Sequence, residues 1–96
     1  LIIVNGENIY PGEVEDCIYE YEGVSECAVV GHSDSLRGQA VWAYIVMKEG
    51  YTLDENEIRK FMKGRIAAYK IPRHFIEIDE MPKNSTGKIL KRALRK

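Results

Sequence analysis

The sequence predicts an α+β fold: an N-terminal β-hairpin followed by a small mixed three-stranded sheet with helices packed on it. Three observations lead there. The chain opens on an apolar, β-branched run broken by Asn5-Gly6, and Asn-Gly beside such runs favours a tight two-residue hairpin turn. Further apolar runs at residues 27–30, 40–47 and 75–78 have strand length and composition. Two stretches lying among these runs repeat their apolar residues at helical spacing.

Taken in order, residues 1–4 form the first strand and Asn8-Ile9-Tyr10 pairs back on it. Pro11 stops that strand and suits the first position of a helix. Glu13, Glu15 and Asp16 favour the positive end of that helix. Val14, Cys17, Ile18 and Tyr21 mark its buried face, and Gly23 ends it. Residues 27–30 read as a strand buried on both faces. Gly31 through Gly38 read as a loop. Residues 40–47 form the longest strand, nearly all apolar and therefore central. Lys48-Glu49-Gly50 turns the chain. Thr52-Leu53-Asp54-Glu55 fits a capping box. The helix it opens buries Ile58, Phe61, Met62 and Ile66, while Arg59, Lys60, Lys63 and Arg65 make its later turns basic. Pro72 pushes Ile71 to an extended shape. Residues 75–78 form the third core strand, which Met81-Pro82 ends. A polar turn follows, then a short helix with Ile89, Leu90, Ala93 and Leu94 apolar.

Ninety-six residues suit one compact domain. With 45% hydrophobic and 30% charged residues, the composition is that of a globular protein. Such a chain is too small to enclose a deep active site for two or three large substrates. No apolar run approaches the roughly 18 residues of a membrane span, and no signal-peptide pattern is present. Cys17 and Cys27 have neither metal-ligand spacing nor the look of a disulfide framework. They read as small core residues in a reducing compartment, so a cytoplasmic location is expected. Leu1 stands where an initiator methionine would, so the chain is expected to begin inside something longer.

Net charge is −1, but it is unevenly spread. Residues 1–36 carry eight acidic side chains and no lysine or arginine, whereas the last fourteen carry six basic ones and no acid. A basic tail suits a phosphate-bearing ligand, nucleic acid, an acidic neighbouring domain or plain solvent. No catalytic triad is legible. His32, Ser33, Asp34 and Ser35 are neighbours in one loop, and a triad is recognised by geometry. His32 and His74 are too far apart for a local metal motif, and a surface role is expected of both. Trp42 and Tyr44 alternate on the long strand and are expected to pack under a helix.

Four polar stretches have no structural role in this scheme. They are Asn5-Gly6-Glu7, Leu36-Arg37-Gly38, Tyr69-Lys70-Ile71-Pro72-Arg73, and Gly87-Lys88. Loops on a rigid scaffold are where binding groups concentrate. In the last stretch a glycine permits unusual backbone angles, and a lysine follows as a compact charge on a flexible stem. That pair suits contact with an anion, against the plainer reading of a solvated turn.

These stretches resemble one family. Asn5 through Glu15, Gly31-His32-Ser33-Asp34 with Arg37-Gly38, Tyr69-Lys70-Ile71-Pro72, and Pro82-Lys83-Asn84-Ser85-Thr86-Gly87-Lys88 look, in that order, like the small C-terminal domain of AMP-forming acyl-CoA synthetases. Luciferase and the adenylation domains of nonribosomal peptide synthetases belong to the same superfamily. The resemblance covers essentially the whole chain. It implies a single mobile C-terminal domain over residues 1–96, with the hinge and the large N-terminal domain lying outside it.

The implied reaction has two steps. A carboxylic acid and ATP give an acyl-adenylate and pyrophosphate, and coenzyme A then displaces AMP to give the thioester. The small domain rotates between the steps. Lys88 would be the adenylation lysine. Asn5, Gly6 and Glu7 would line the pantetheine tunnel. Arg37, Tyr69, Lys70 and Ile71 would sit by the coenzyme A nucleotide. ATP with Mg²⁺ would be held mainly by the N-terminal domain, which is also the implied partner; no nucleic acid and no metal ligand in this chain are implied. Nonribosomal adenylation domains usually carry an Arg-Ile-Glu-Leu type run where this chain has Asn8-Ile9-Tyr10-Pro11, which favours coenzyme A over a carrier protein. The isolated chain is expected to fold without catalysing. Transfer to a carrier protein or other acceptor, and a non-catalytic basic binding module, remain open alternatives. The acidic first third speaks against nucleic acid.

Overall fold

The computed structural model describes residues 1–95. The elements run β1 Ile2–Val4, β2 Glu7–Ile9, α1 Pro11–Tyr19, β3 Val24–Asp34, β4 Gly38–Met47, α2 Glu55–Met62, a 3₁₀ turn at Ala68–Lys70, β5 His74–Glu77 and a second 3₁₀ turn at Lys91–Leu94. The predicted α+β class holds. Asn5 and Gly6 take φ of 51° and 81°, the pair of left-handed residues that a tight type I′ hairpin needs. They return β2 onto β1 with Val4 opposite Glu7.

β4 is the central strand. One edge pairs antiparallel with β3 along nearly its whole length. The other edge is shared: β1 touches it at Gly38 through Val4, and β5 runs parallel to it from Trp42 to Ile45. Strands β3, β4 and β5 are therefore the expected mixed three-stranded sheet, and the hairpin joins it end-on. The shared edge leaves a gap beside residues 39–41, which is where the candidate groove lies.

The two faces of the sheet differ. Alternation along the strands puts Cys27, Val29, Val41, Ala43, Ile45 and Phe75 on one face. There they form one buried cluster with Val14, Cys17 and Ile18 of α1 and with Ile58 and Met62 of α2. Each large aliphatic side chain fully buried in this way contributes about 1.5–3 kcal/mol. The opposite face carries Ala28, Val30, Trp42 and Tyr44. Trp42 and Tyr44 accordingly do not pack under a helix. They lie near the C-terminal turn, around Ala93 and Leu94, with His32 and His74 flanking the indole at centroid distances of 4.5 and 4.4 Å.

Part of the outer edge of β3 is covered by side chains of α1. The Tyr19 hydroxyl accepts the Cys27 N–H at 3.0 Å. A Glu15 carboxylate oxygen accepts the Val29 N–H at 2.8 Å. The Lys91 ammonium sits 2.7 Å from that same oxygen. Burial, then the Glu15 charge, pushes the Cys27 thiol up to about 12, and both cysteines are free and buried, as expected of core residues.

Several boundaries move from their expected places. Gly31-His32-Ser33-Asp34 are strand, paired from Gly31 opposite Val41 to Asp34 opposite Gly38; only residues 35–37 turn. Their polar composition suggests a loop, but the facing length of β4 supplies ladder partners for every one of them. α1 stops at Tyr19, and Gly23 follows at φ 96° in the connection. The cap of α2 is Asp54, whose side chain accepts the Glu57 N–H at 3.1 Å; the predicted capping box at Thr52 sits two residues too early. That helix ends at Met62, so Lys63, Arg65 and Ile66 lie beyond it. The expected last helix is only a 3₁₀ turn, with Ile89 instead bridging Lys83.

Candidate functional site

Two separate places carry the predicted residues. The first is the lysine turn. Its backbone is closed by Asn84: the Asn84 N–H donates to the Lys88 carbonyl at 2.9 Å, and the Gly87 N–H donates to the Asn84 carbonyl at 3.0 Å. Gly87 has φ 87° with open space around it, a conformation that side chains resist. The Leu90 N–H reaches the Pro82 carbonyl at 2.7 Å, so the two arms of the turn run antiparallel. Two ion pairs hold those arms: Lys83 to Glu26 and Lys91 to Glu15, each at 2.7 Å. Lys88 is exposed and, among the described residues, pairs with no carboxylate.

The second place is a groove of about 250 Å³ at the shared edge of β4. Asn5, Arg37, Tyr69 and Ile71 line it together with Arg59 and Arg73. The sequence separations are large, yet the fold forces the meeting. The Asn5 N–H donates to the Arg37 carbonyl at 2.9 Å, joining the hairpin tip to the β3–β4 turn. The Arg73 N–H donates to the Val41 carbonyl at 2.9 Å, bringing in the segment before β5. Asp34 shapes the Arg37 turn: Oδ1 accepts the Leu36 and Arg37 N–H groups at 2.9 and 3.0 Å, and Oδ2 pairs with the Arg37 guanidinium at 3.2 Å. Those backbone N–H groups, then the guanidinium, hold the Asp34 carboxyl below its usual range.

Sequence places Arg59 only at the basic end of a helix. In the fold it is a brace. Its guanidinium donates to the Pro72 carbonyl at 2.8 Å and the Arg73 carbonyl at 3.2 Å. It also pairs with Glu55 at 2.8 Å and lies 5.1 Å from the centre of the Phe75 ring. Sequence spacing shows the Glu55 partner, four residues back on the same helix face; it holds no hint of carbonyls thirteen and fourteen residues onward.

Not every predicted residue joins the groove. Gly6 and Glu7 are exposed at the hairpin and do not line it. The Lys70 ammonium is turned onto Glu13, at 2.9 and 3.1 Å from its two oxygens, and this bond raises its pKa. Among the described residues no group of three or more His, Cys, Asp or Glu is arranged to hold a metal. No helix of the described residues is long and apolar enough to cross a membrane. The larger hollow on the opposite sheet face, about 780 Å³, is lined by His32, Trp42, Tyr44 and the C-terminal turn and contains none of the predicted residues. There the His32 Nε2 lies 2.9 Å from the Tyr44 hydroxyl, while the Asp34 carboxylate is taken up by the Arg37 turn. His32, Ser33 and Asp34 therefore do not form a triad.

Chemically, the groove offers an aromatic ring beside the guanidinium groups of Arg37 and Arg73, that of Arg59 being taken up by two carbonyls and Glu55. A planar guanidinium forks onto phosphate oxygens, and an aromatic face stacks on a base. The donor set therefore suits a phosphate-bearing ligand with a flat ring. The lysine turn offers one mobile point charge, suited to an anion brought to it by another body.

Residues 13–88 match the family model described as the AMP-binding enzyme C-terminal domain. The chain is 45% identical over 94 residues to a long-chain-fatty-acid–CoA ligase of Bacillus subtilis, covering 98% of this chain and 17% of that protein. It is 45% identical to a 2-succinylbenzoate–CoA ligase of Listeria monocytogenes, covering 99% of this chain and 20% of the relative. Among solved structures it superposes on ATP-bound MatB from Rhodopseudomonas palustris with a TM-score of 0.95 at 37% identity, over 99% of this chain and 19% of that one. An o-succinylbenzoate CoA synthetase from Bacillus subtilis, in complex with its acyl-adenylate intermediate, matches with a TM-score of 0.91 at 38% identity, over 100% of this chain and 19% of that one. The chain thus spans about a fifth of the length of the proteins it matches.

Proposed function

The chain belongs to the AMP-binding enzyme C-terminal domain family, and on that premise we propose that it is the mobile small domain of an AMP-forming acyl-CoA ligase. Lys88 serves the first step. Its ammonium contacts the acid carboxylate and the α-phosphate oxygens as the acyl-adenylate forms and pyrophosphate leaves. Charge placed in advance at such a centre contributes about 10²–10³ in rate. The groove serves the second step, with Arg37 and Arg73 meeting coenzyme A phosphates and Tyr69 and Ile71 against its adenine. Asn5, Gly6 and Glu7 face the pantetheine arm. Lys70 joins them only by leaving Glu13. The acid, ATP with its Mg²⁺ and the remaining contacts belong to a large N-terminal domain, in a cytoplasmic enzyme. The 96-residue chain by itself does not make the thioester.

One observation carries this reading: Lys88 is an exposed ammonium on a hydrogen-bonded turn, with no carboxylate partner among the described residues. Lys48, Lys60 and Lys63 are likewise exposed without a carboxylate partner among the described residues; Lys88 differs from them in being held at both its N–H and its carbonyl by one turn residue, Asn84. Three of the four relatives reported above carry CoA ligase or CoA synthetase in their names, which favours coenzyme A over a carrier protein as acceptor. The test uses Lys88→Ala in the full-length enzyme with the two half-reactions measured apart. Adenylate formation should fall by about 10²–10³, while thioester formation from a supplied acyl-adenylate persists. Equal loss of both, or of neither, would reject the assignment.

A further inference from the structure

The lysine turn has almost no apolar support, since residues 83–88 are all exposed. Two backbone bonds of Asn84 close it, and one side-chain atom holds its tip. Asn84 Oδ1 accepts the Thr86 N–H at 3.0 Å, the Thr86 hydroxyl at 2.8 Å and the Lys88 N–H at 2.9 Å. The last of these bonds acts on the backbone of Lys88 itself. We propose that Asn84 is a positioning residue for the adenylation step, its side-chain carbonyl setting the direction in which Lys88 leaves the turn. The proposal rests on the reading of Lys88 given above.

An asparagine oxygen bonded to N–H groups two residues on folds a chain locally without any core, so this turn can be well shaped while fully wet. The arms are pinned outside it by the Glu26–Lys83 and Glu15–Lys91 pairs, so loss of Oδ1 frees the tip rather than the whole segment. A lysine already swings on a flexible four-carbon stem, and freedom in its backbone adds to that swing. A reacting group misplaced by about 1 Å loses on the order of 10²-fold in rate. Because nothing here is buried, removing the side chain spares the fold.

The experiment measures both half-reactions in the full-length enzyme for Asn84→Ala, Asn84→Ser, Ser85→Ala and Lys88→Ala. Asn84→Ala should lower kcat for adenylate formation about 10- to 100-fold, leave KM for the acid and ATP within about threefold, and leave thioester formation from supplied acyl-adenylate unchanged. Asn84→Ser keeps an uncharged acceptor oxygen, as serine does more weakly in local turns, and should restore part of the rate. Ser85, which makes no side-chain hydrogen bond in the turn, should be replaceable without effect. If Asn84→Ala keeps the full adenylation rate while Lys88→Ala loses it, the positioning role is overturned and the role of Lys88 stands. If Asn84→Ser is as impaired as Asn84→Ala, the acceptor oxygen is not the operative feature and the proposal fails. If Lys88→Ala keeps the rate, the underlying reading fails first and the positioning role with it.

Discussion

The lysine turn and the arginine-lined groove both present positive charge, and they are held in opposite ways. The turn is wet throughout and keeps its shape by hydrogen bonds to one asparagine. The groove is built into the open edge of the central strand, its walls tied to β4 by backbone bonds and to α2 by Arg59. A change in the turn should therefore alter one chemical step and spare stability. A change in the groove wall should move ligand affinity and stability together.

The comparison can be broken most directly by removing groove charge. Arg37→Ala with Arg73→Ala in the full-length enzyme should raise KM for coenzyme A about 10- to 100-fold, each phosphate contact being a charge-assisted bond worth about 1.5–3 kcal/mol before screening by solvent. Adenylate formation should be untouched; a matching fall there would mean that the two places are not separate. Arg59→Ala comes next. It leaves two carbonyls without their donor, and after allowance for its partial exposure it should cost about 1–2 kcal/mol, read by urea unfolding of this chain. No change in the unfolding midpoint would show that the brace holds nothing.

Gly87→Ala sharpens the contrast from the other side. A side chain at φ 87° costs about 1–2 kcal/mol of local conformation. Adenylation should drop several-fold while the unfolding midpoint moves little, because the turn is coupled to no core. The smallest effect concerns acid. Asp34 has a lowered pKa in the folded chain, so its contribution is present above the ordinary value of 3.8 and is lost as pH falls through the depressed one. Amide exchange measured by NMR should quicken at Leu36 and Arg37 in that acidic window, with no matching change at Thr86 or Lys88.

Much of the fold was legible because local chemistry and tertiary structure agree. Asn5-Gly6 specifies its turn, Pro11 its helix start, and residues 40–47 their central place. The misreadings share one cause. Gly31 through Asp34 look like loop until β4 offers them partners. Asp54, not Thr52, caps α2, although each has a glutamate three residues on, and spacing alone does not choose between them. Trp42 and Tyr44 alternate correctly, but alternation does not say which face the helices take. At the site, the four polar stretches were separable from the rest because they had no packing role. Their sorting into two places was not legible, since it depends on which strand edge β1 and β5 share. Arg59 was hidden because its partners are backbone carbonyls, which carry no residue identity.

The partly covered outer edge of β3 bears on a different property, solubility. An edge strand with free N–H groups is a template on which another chain can extend the sheet. In this chain, the outward N–H groups of Cys27 and Val29 are already occupied by a phenol and a carboxylate from α1. A domain that swings away from its neighbour exposes its surfaces to the surrounding protein at each excursion. Tyr19→Phe and Glu15→Ala would reopen two consecutive docking points along that edge. Their signature would be slow sheet-rich association at high concentration, and Tyr19→Phe alone would show it with both ion pairs of the lysine turn intact.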